Sequence, residues 1–192
     1  MRLGTLEAGG TKMVMGLADA DGRIIERASC PTRLPEETLA DIIAFFKPRQ
    51  IDALGIATFG PVDLRPSSDS FGSIINTPKL AWRNFPLYRR LKDALNVPCA
   101  IDTDVNGAAL AEARLGAVKG LDNCVYFTVG TGIGGGVLSG GRLVHGLMHP
   151  EWGHVIVSRH PDDPLTRGIC PYHEHCAEGL ASGPAMQARW TM

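Results

Sequence analysis

"NCVYFTVGTGIGGGVLSGGRLV", residues 123–144, runs an apolar segment into a glycine turn, then a second apolar segment into another glycine pair. Short apolar runs bounded by glycine read as β-strands entering tight turns, so the stretch predicts a strand, a turn, a returning strand and a hairpin. The same order stands at the start of the chain. Arg2 to Ala8, Lys12 to Ala18 and Arg23 to Cys30 are short apolar segments separated by "GGTK" and by the turn "DADG", and they read as two consecutive hairpins. Two copies of one pattern within 192 residues predict a duplicated α/β unit.

The segments between the copies support this. "PTRLPEETLADIIAFFKPRQ" supplies a helix that is amphipathic through Leu39, Ile42, Ile43 and Phe46 and stops before Pro48. "IDALGIATFG" is a buried strand running into a loop, "PLYRRLKDAL" a helix, and "VPCAIDT" a strand. A helix follows at once, from Asp104 through "VNGAALAEARLG". The alternation predicts an α/β fold with a largely parallel sheet after the opening hairpins. Residues 1–116 are expected to form a small α/β domain and residues 117–192 the start of a larger one. That second domain is expected to be incomplete, because "EGLASGPAMQARWTM" begins a helix with nothing after it to cover the second sheet.

Composition narrows the function classes. A net charge of -1, with no run of like charges, offers no basic field for nucleic acid or an anionic membrane. Partners are expected to be small molecules. The N-terminus lacks a basic region followed by an apolar core, and no stretch approaches the roughly 20 apolar residues that cross a bilayer, so a cytoplasmic location is expected. Five cysteines, two of them in one histidine-bearing cluster, fit a reducing compartment and a metal better than a disulfide framework. Cys30, Cys99 and Cys124 sit in apolar surroundings and read as inert core thiols.

Three constellations carry candidate chemistry. "EAGGTK" (Glu7 to Lys12) and "TVGTGIGGG" (Thr128 to Gly136) put glycines and a threonine directly after a strand, where backbone N–H groups can approach phosphate oxygens. Neither has the spacing of the common P-loop or of the dinucleotide fingerprint, and for either alone a plain hairpin turn is the alternative. "IDTDVNGAALAEARLG" puts Asp102 and Asp104 between a strand end and a helix start, where ligands of open α/β sheets bind. Asp104 either caps the helix or accepts a proton from an alcohol that attacks a γ-phosphate; Asn106 is placed to cap or orient it. In "CPYHEHC", Cys170, His173 and Cys176 fall three apart, the spacing at which one short loop aims all three at a zinc ion. The fourth ligand is His154 or, inside the same loop, His175. Four protein ligands leave no open position for water, so the site is expected to be structural. The alternative is a set of surface histidines and free thiols. His145, His149 and His160 lack such company and read as ordinary surface or loop residues.

Taken together, "EAGGTK", the "NTPK" at Asn76, "DTDVNGAALAE", "TVGTGIGGG", "PEWGH" and the cysteine–histidine run resemble the ROK family of bacterial sugar kinases and repressors, in the actin-like, ribonuclease-H-like ATPase fold. The resemblance covers nearly the whole chain in order. The form with histidine inside the zinc loop is most similar to bacterial fructokinases. It implies two α/β domains with a cleft that closes to exclude water, and an ATP-dependent hexose kinase making fructose 6-phosphate, with Mg²⁺ and a structural Zn²⁺. Asp104 would be the general base. Gly9, Gly10, Thr11 and Lys12 would form the first phosphate loop, and Thr131, Gly132, Gly134 and Gly135 the second. Asn76, Asp104, Glu151, His154 and Glu178 would contact the sugar, and His154, Cys170, His173 and Cys176 would hold zinc. A homodimer is implied as well.

Three positions depart from the family pattern. Glu7 stands where many members carry aspartate, a change that fructokinase-like members share; Thr103 replaces a common asparagine, which argues against glucose; and members continue well beyond the equivalent of Met192. A glucokinase or other hexose kinase, and a non-catalytic sugar- and zinc-binding fragment, are the alternatives. A family repressor would carry a helix-turn-helix before the first glycine loop, where this sequence has eight residues.

Overall fold

A computed structural model describes residues 1–147 and 149–191. The chain divides into two compact units: residues 1–107 with 147–149, and residues 108–146 with 150–192. The division falls inside a helix, upstream of the boundary near residue 116 that the sequence suggested.

The first unit is built on a five-stranded sheet. Strands β1 (Leu3–Ala8), β2 (Lys12–Ala18) and β3 (Ile24–Pro31) form the two opening hairpins, and β4 (Ala53–Thr58) and β5 (Cys99–Thr103) complete the order β3-β2-β1-β4-β5. β1, β4 and β5 run parallel, while β2 and β3 are antiparallel to their neighbours. β1 alternates buried and exposed residues, as expected of a strand with unequal faces. β2 is buried from Met13 through Ala18, so both of its faces are covered. Helix α1 (Pro35–Phe46) starts on a proline, whose missing N–H costs nothing at that position, and buries Leu39, Ile42 and Phe46. Helix α2 (Leu87–Leu95) buries Leu87 and Leu91. These side chains share one core with Leu6, Met13, Leu54, Ile56 and Trp82. Cys30 and Cys99 pack against it, and burial pushes both thiols above their ordinary range, as inert core thiols require. All five cysteines are free.

Between β4 and α2 the chain wraps a buried carboxylate. Asp63 is 3% exposed. It accepts hydrogen bonds from Arg65 Nε at 3.0 Å, Ser68 Oγ at 2.6 Å and Ser70 Oγ at 2.6 Å. Its own backbone pairs with Ser73 and Gly72. The Arg65 guanidinium, with the two hydroxyls, holds this carboxyl far below the usual range despite its burial. Asp63→Asn should therefore loosen the loop by about 2 kcal/mol, because an amide puts N–H groups against donors. The ion pair adds stability above the unfolded carboxyl pKa of about 4. Wild type should lose that increment progressively as pH falls from about 4 toward the lowered folded-state pKa, and the variant should show no such step; urea melts across pH measure both.

Helix α3 (Asp104–Leu115) follows β5 without a linker. In the second unit, β6 (Cys124–Val129), β7 (Ile133–Ser139) and β8 (Arg142–Leu143) form an antiparallel sheet in sequence order. α4 (Ala177–Ala181) and α5 (Gly183–Trp190) close the described chain, and Leu138, Leu165, Leu180 and Ala185 are buried. β6 turns Val125, Phe127 and Val129 to solvent. Among the described residues, no helix is long and apolar enough to cross a membrane.

Candidate active site and metal cluster

Register places the first group. Ala8, Thr58 and Thr103 lie level across β1, β4 and β5. Each strand then ends, so the turn beginning at Gly9 and the carboxylate of Asp104 leave the same edge of the sheet. One strand stands between them, a separation of about 10 Å at the usual strand spacing. That edge is the carboxyl end of the parallel strands, where α/β sheets bind ligands.

The turn is Gly9-Gly10-Thr11, leading into Lys12 on β2. Gly9 N–H donates to Lys12 O at 3.0 Å, and Thr32 donates through its hydroxyl to Gly9 O at 2.7 Å. Thr11 and Lys12 are exposed.

Asp104 is half-buried at the first position of α3. The helix is capped by its neighbour: Thr103 Oγ1 accepts from Asn106 N–H at 3.1 Å. Asn106 donates its side-chain N–H to Asp102 Oδ1 at 2.7 Å, so the residue expected to orient Asp104 orients Asp102. Asp104 Oδ1 accepts from Val105 N–H at 2.9 Å. Burial pushes its carboxyl above the ordinary range. The Val105 N–H and the His149 imidazole pull it back, while the Glu7 carboxylate pushes it further up. A raised pKa makes a stronger proton acceptor, which suits a base more than a cap.

Asn76 is exposed on the segment beside the end of β4, where Ile75 N–H donates to Pro61 O at 2.8 Å. His149, read from sequence as an ordinary loop residue, is half-buried, and its Nε2 accepts from Val62 N–H at 3.3 Å. The sequence signal that could have found it is its place in "HPEWGH", two residues before Glu151.

The second unit gathers the other residues. The turn after β6 is Gly130-Thr131-Gly132, with Gly130 N–H donating to Gly132 O at 2.9 Å. Gly134 and Gly135 lie inside β7, opposite Thr128 and Phe127. Gly135 meets a packing need, since a Cβ there would come within 2.8 Å of Trp152 Cβ. Gly132 meets a different one: a Cβ would stand 2.6 Å from Glu178 Oε2. That same oxygen accepts from Ile133 N–H at 3.0 Å, so the carboxylate of Glu178 grips the glycine turn directly. Glu151 is exposed, and its carbonyl accepts from His154 N–H at the start of a single 3₁₀ turn, Trp152–His154.

His154, Cys170, His173 and Cys176 converge. A bridge between Ile156 and Cys176 brings the cysteine loop back to the 3₁₀ turn. One donor atom from each of the four lies within 4.8 Å of every other. Cys170 Sγ is 3.9 Å from His154 Nδ1 and 3.8 Å from His173 Nδ1, and Cys176 Sγ is 3.8 Å from His154 Nδ1. A tetrahedral zinc ion sets sulfur–nitrogen edges of about 3.6 Å, so the donor set fits zinc within a few tenths of an ångström. His154 turns Nδ1 to both sulfurs, which leaves Nε2 for another partner. Cys176 Sγ accepts from Gly179 N–H at 3.3 Å. Burial pushes the Cys176 thiol up, so a bound cation is what would keep it ionised. His175, the alternative fourth ligand, is outside the group and gives its carbonyl to Val157 N–H at 2.9 Å.

The model of the ROK family matches residues 3–192. The chain belongs to the ROK family. It is 51% identical over 97% of its length to a fructokinase of Zymomonas mobilis, and spans 64% of that relative. A solved ROK hexokinase from Thermus thermophilus superposes with a TM-score of 0.77 at 33% identity, over all of this chain and 63% of that one. A ROK family glucokinase from Streptomyces griseus, solved with glucose and AMPPNP, gives 0.74 at 31% identity, over 97% of this chain and 59% of that one. The fold is accordingly the actin-like ATPase fold of ROK sugar kinases. The chain thus spans less than two thirds of the ROK relatives it matches.

Proposed function

We propose that this protein is an ATP-dependent fructokinase, transferring the γ-phosphoryl group of MgATP to the 6-hydroxyl of fructose. The observation that carries the reading is the level register of Ala8, Thr58 and Thr103, which sets a backbone N–H turn and a half-buried carboxylate at one sheet edge. A phosphoryl group at the turn and a sugar hydroxyl at Asp104 fit a gap of about 10 Å. Asp104 accepts the hydroxyl proton as the oxygen–phosphorus bond forms and the bond to ADP breaks; the remaining work is positioning and charge neutralisation. Asn76, His154, Glu151 and Glu178 are assigned to the sugar hydroxyls. The turns Gly9–Lys12 and Gly130–Gly132 are assigned to the phosphates, with Gly134 and Gly135 supporting the second turn from within β7. His154, Cys170, His173 and Cys176 would hold zinc, which when bound supplies a rigid cross-link. A cytoplasmic location, where ATP is supplied, is part of this reading.

Fructose is preferred to glucose because identity to the fructokinase is 51% and to the glucokinase 31%. In the full-length protein, ADP release coupled to an indicator should give a kcat/KM for fructose at least about tenfold above that for glucose, the selectivity of one well-made polar contact. A reversed ratio would make it a glucokinase. ADP release with no hexose at all would leave a sugar- and zinc-binding fold without turnover.

A further inference from the structure

Among the described residues, some cations of the first unit are paired with carboxylates and several, Lys79 included, are not. Arg33, Arg49, Arg65 and Arg90 each lie on a carboxylate: Asp41, Glu26, Asp63 and Glu36 respectively. Lys79 forms no ion pair among the described residues. Its stem lies over the first glycine turn instead, with Cε 3.5 Å from the point a Cβ on Gly10 would occupy. The ammonium, one bond further, is therefore within a few ångströms of the backbone that faces the phosphates in the reading above.

The base of this side chain is fixed. Lys79 N–H donates to the hydroxyl of Thr77, which is 1% exposed, at 3.3 Å. Lys79 O accepts from Trp82 N–H at 2.8 Å. Trp82 is itself 2% exposed and donates its indole N–H to Arg33 O at 2.9 Å. A buried anchor on each side thus sets where the lysine emerges. Asn76, assigned to the sugar, stands three residues earlier in the same turn, so one short segment reaches from the acceptor to the glycine turn. An ammonium is a compact, strongly hydrated charge, and lying against bare backbone gives it little unless an anion joins it there.

We propose that Lys79 is a further catalytic residue of the kinase, its ammonium binding the phosphoryl group held at the Gly9–Lys12 turn and neutralising its oxygens during transfer. The proposal rests on the kinase reading. Lys79 donates hydrogen bonds and exchanges no proton; the bonds formed and broken are those already described.

The test uses full-length protein with Lys79→Met and Lys79→Arg, and measures fructose-dependent ADP release, tripolyphosphate binding and fructose binding separately. Lys79→Met should lower kcat/KM for MgATP about 10²-fold, the cost of one electrostatic donor. It should weaken tripolyphosphate at least about tenfold and leave the fructose Kd within about twofold, since only a phosphate contact is lost. Lys79→Arg should recover most of both losses. Unchanged tripolyphosphate binding in Lys79→Met overturns the proposal, as does equal loss of fructose binding, which would mark a structural role. If wild type phosphorylates no hexose, the kinase reading falls, and the tripolyphosphate measurement still decides whether Lys79 binds phosphate.

Discussion

Asp104→Asn will lower fructose phosphorylation by about 10³-fold or more, within the range that positioned acid–base groups contribute. The substitution preserves shape. Asn Oδ1 can still accept from Val105 N–H, and the helix cap rests on Thr103, so the fold and the zinc content should be unchanged. What disappears is the carboxylate assigned above to taking the proton. Titration gives a second measure. Burial raises the Asp104 carboxyl and Glu7 adds to it. The base works only when ionised, so kcat/KM should fall on the acid side, with a midpoint above the ordinary carboxylate value of about 4. Glu7→Gln removes the repelling charge and should move that midpoint down. An acid limb that stays in place in Glu7→Gln, or an active Asp104→Asn, would assign proton removal to another group.

Stripping the metal should have a smaller but still large effect by another route. Cys170 and Cys176 are buried, and their loop runs into α4, a helix of five residues. A zinc ion in the proposed site would tie the four donors together and stiffen it. One zinc per chain is expected by elemental analysis. Cys176→Ser, or a strong chelator, should cut fructose affinity about 10- to 100-fold and lower the melting temperature, because the ligands orient the groups that touch substrate. Loss of zinc with unaltered fructose affinity would separate the cluster from the sugar.

Much of this was legible along the chain because the signals were local. The hairpins announced themselves through Gly9-Gly10 and Asp21-Gly22, α1 through the spacing of Leu39, Ile42 and Phe46, and the metal loop through cysteine and histidine three apart. What was hidden depends on partners distant in sequence. Gly132 and Gly135 look alike in "TGIGGG", yet one turns the chain beneath Glu178 and the other makes room for Trp152. Asn106 sits two residues from Asp104, but helix geometry aims its side chain back at Asp102. His149 gained its role from Val62, 87 positions away. Lys79 stands out only once its stem is seen over Gly10.

The carboxylate of Glu178 is two residues from Cys176, assigned above to zinc, and bonded to the backbone of the turn assigned above to the nucleotide. With zinc bound in the proposed site, the ion would be an effector as well as a clasp. Whatever factor zinc adds to the affinity for ATP, ATP must add to the retention of zinc, since the two binding free energies share one coupling term. If the proposed zinc and ATP sites are both real, cells short of zinc would hold an enzyme whose appetite for nucleotide has fallen, and abundant ATP would slow the escape of the metal.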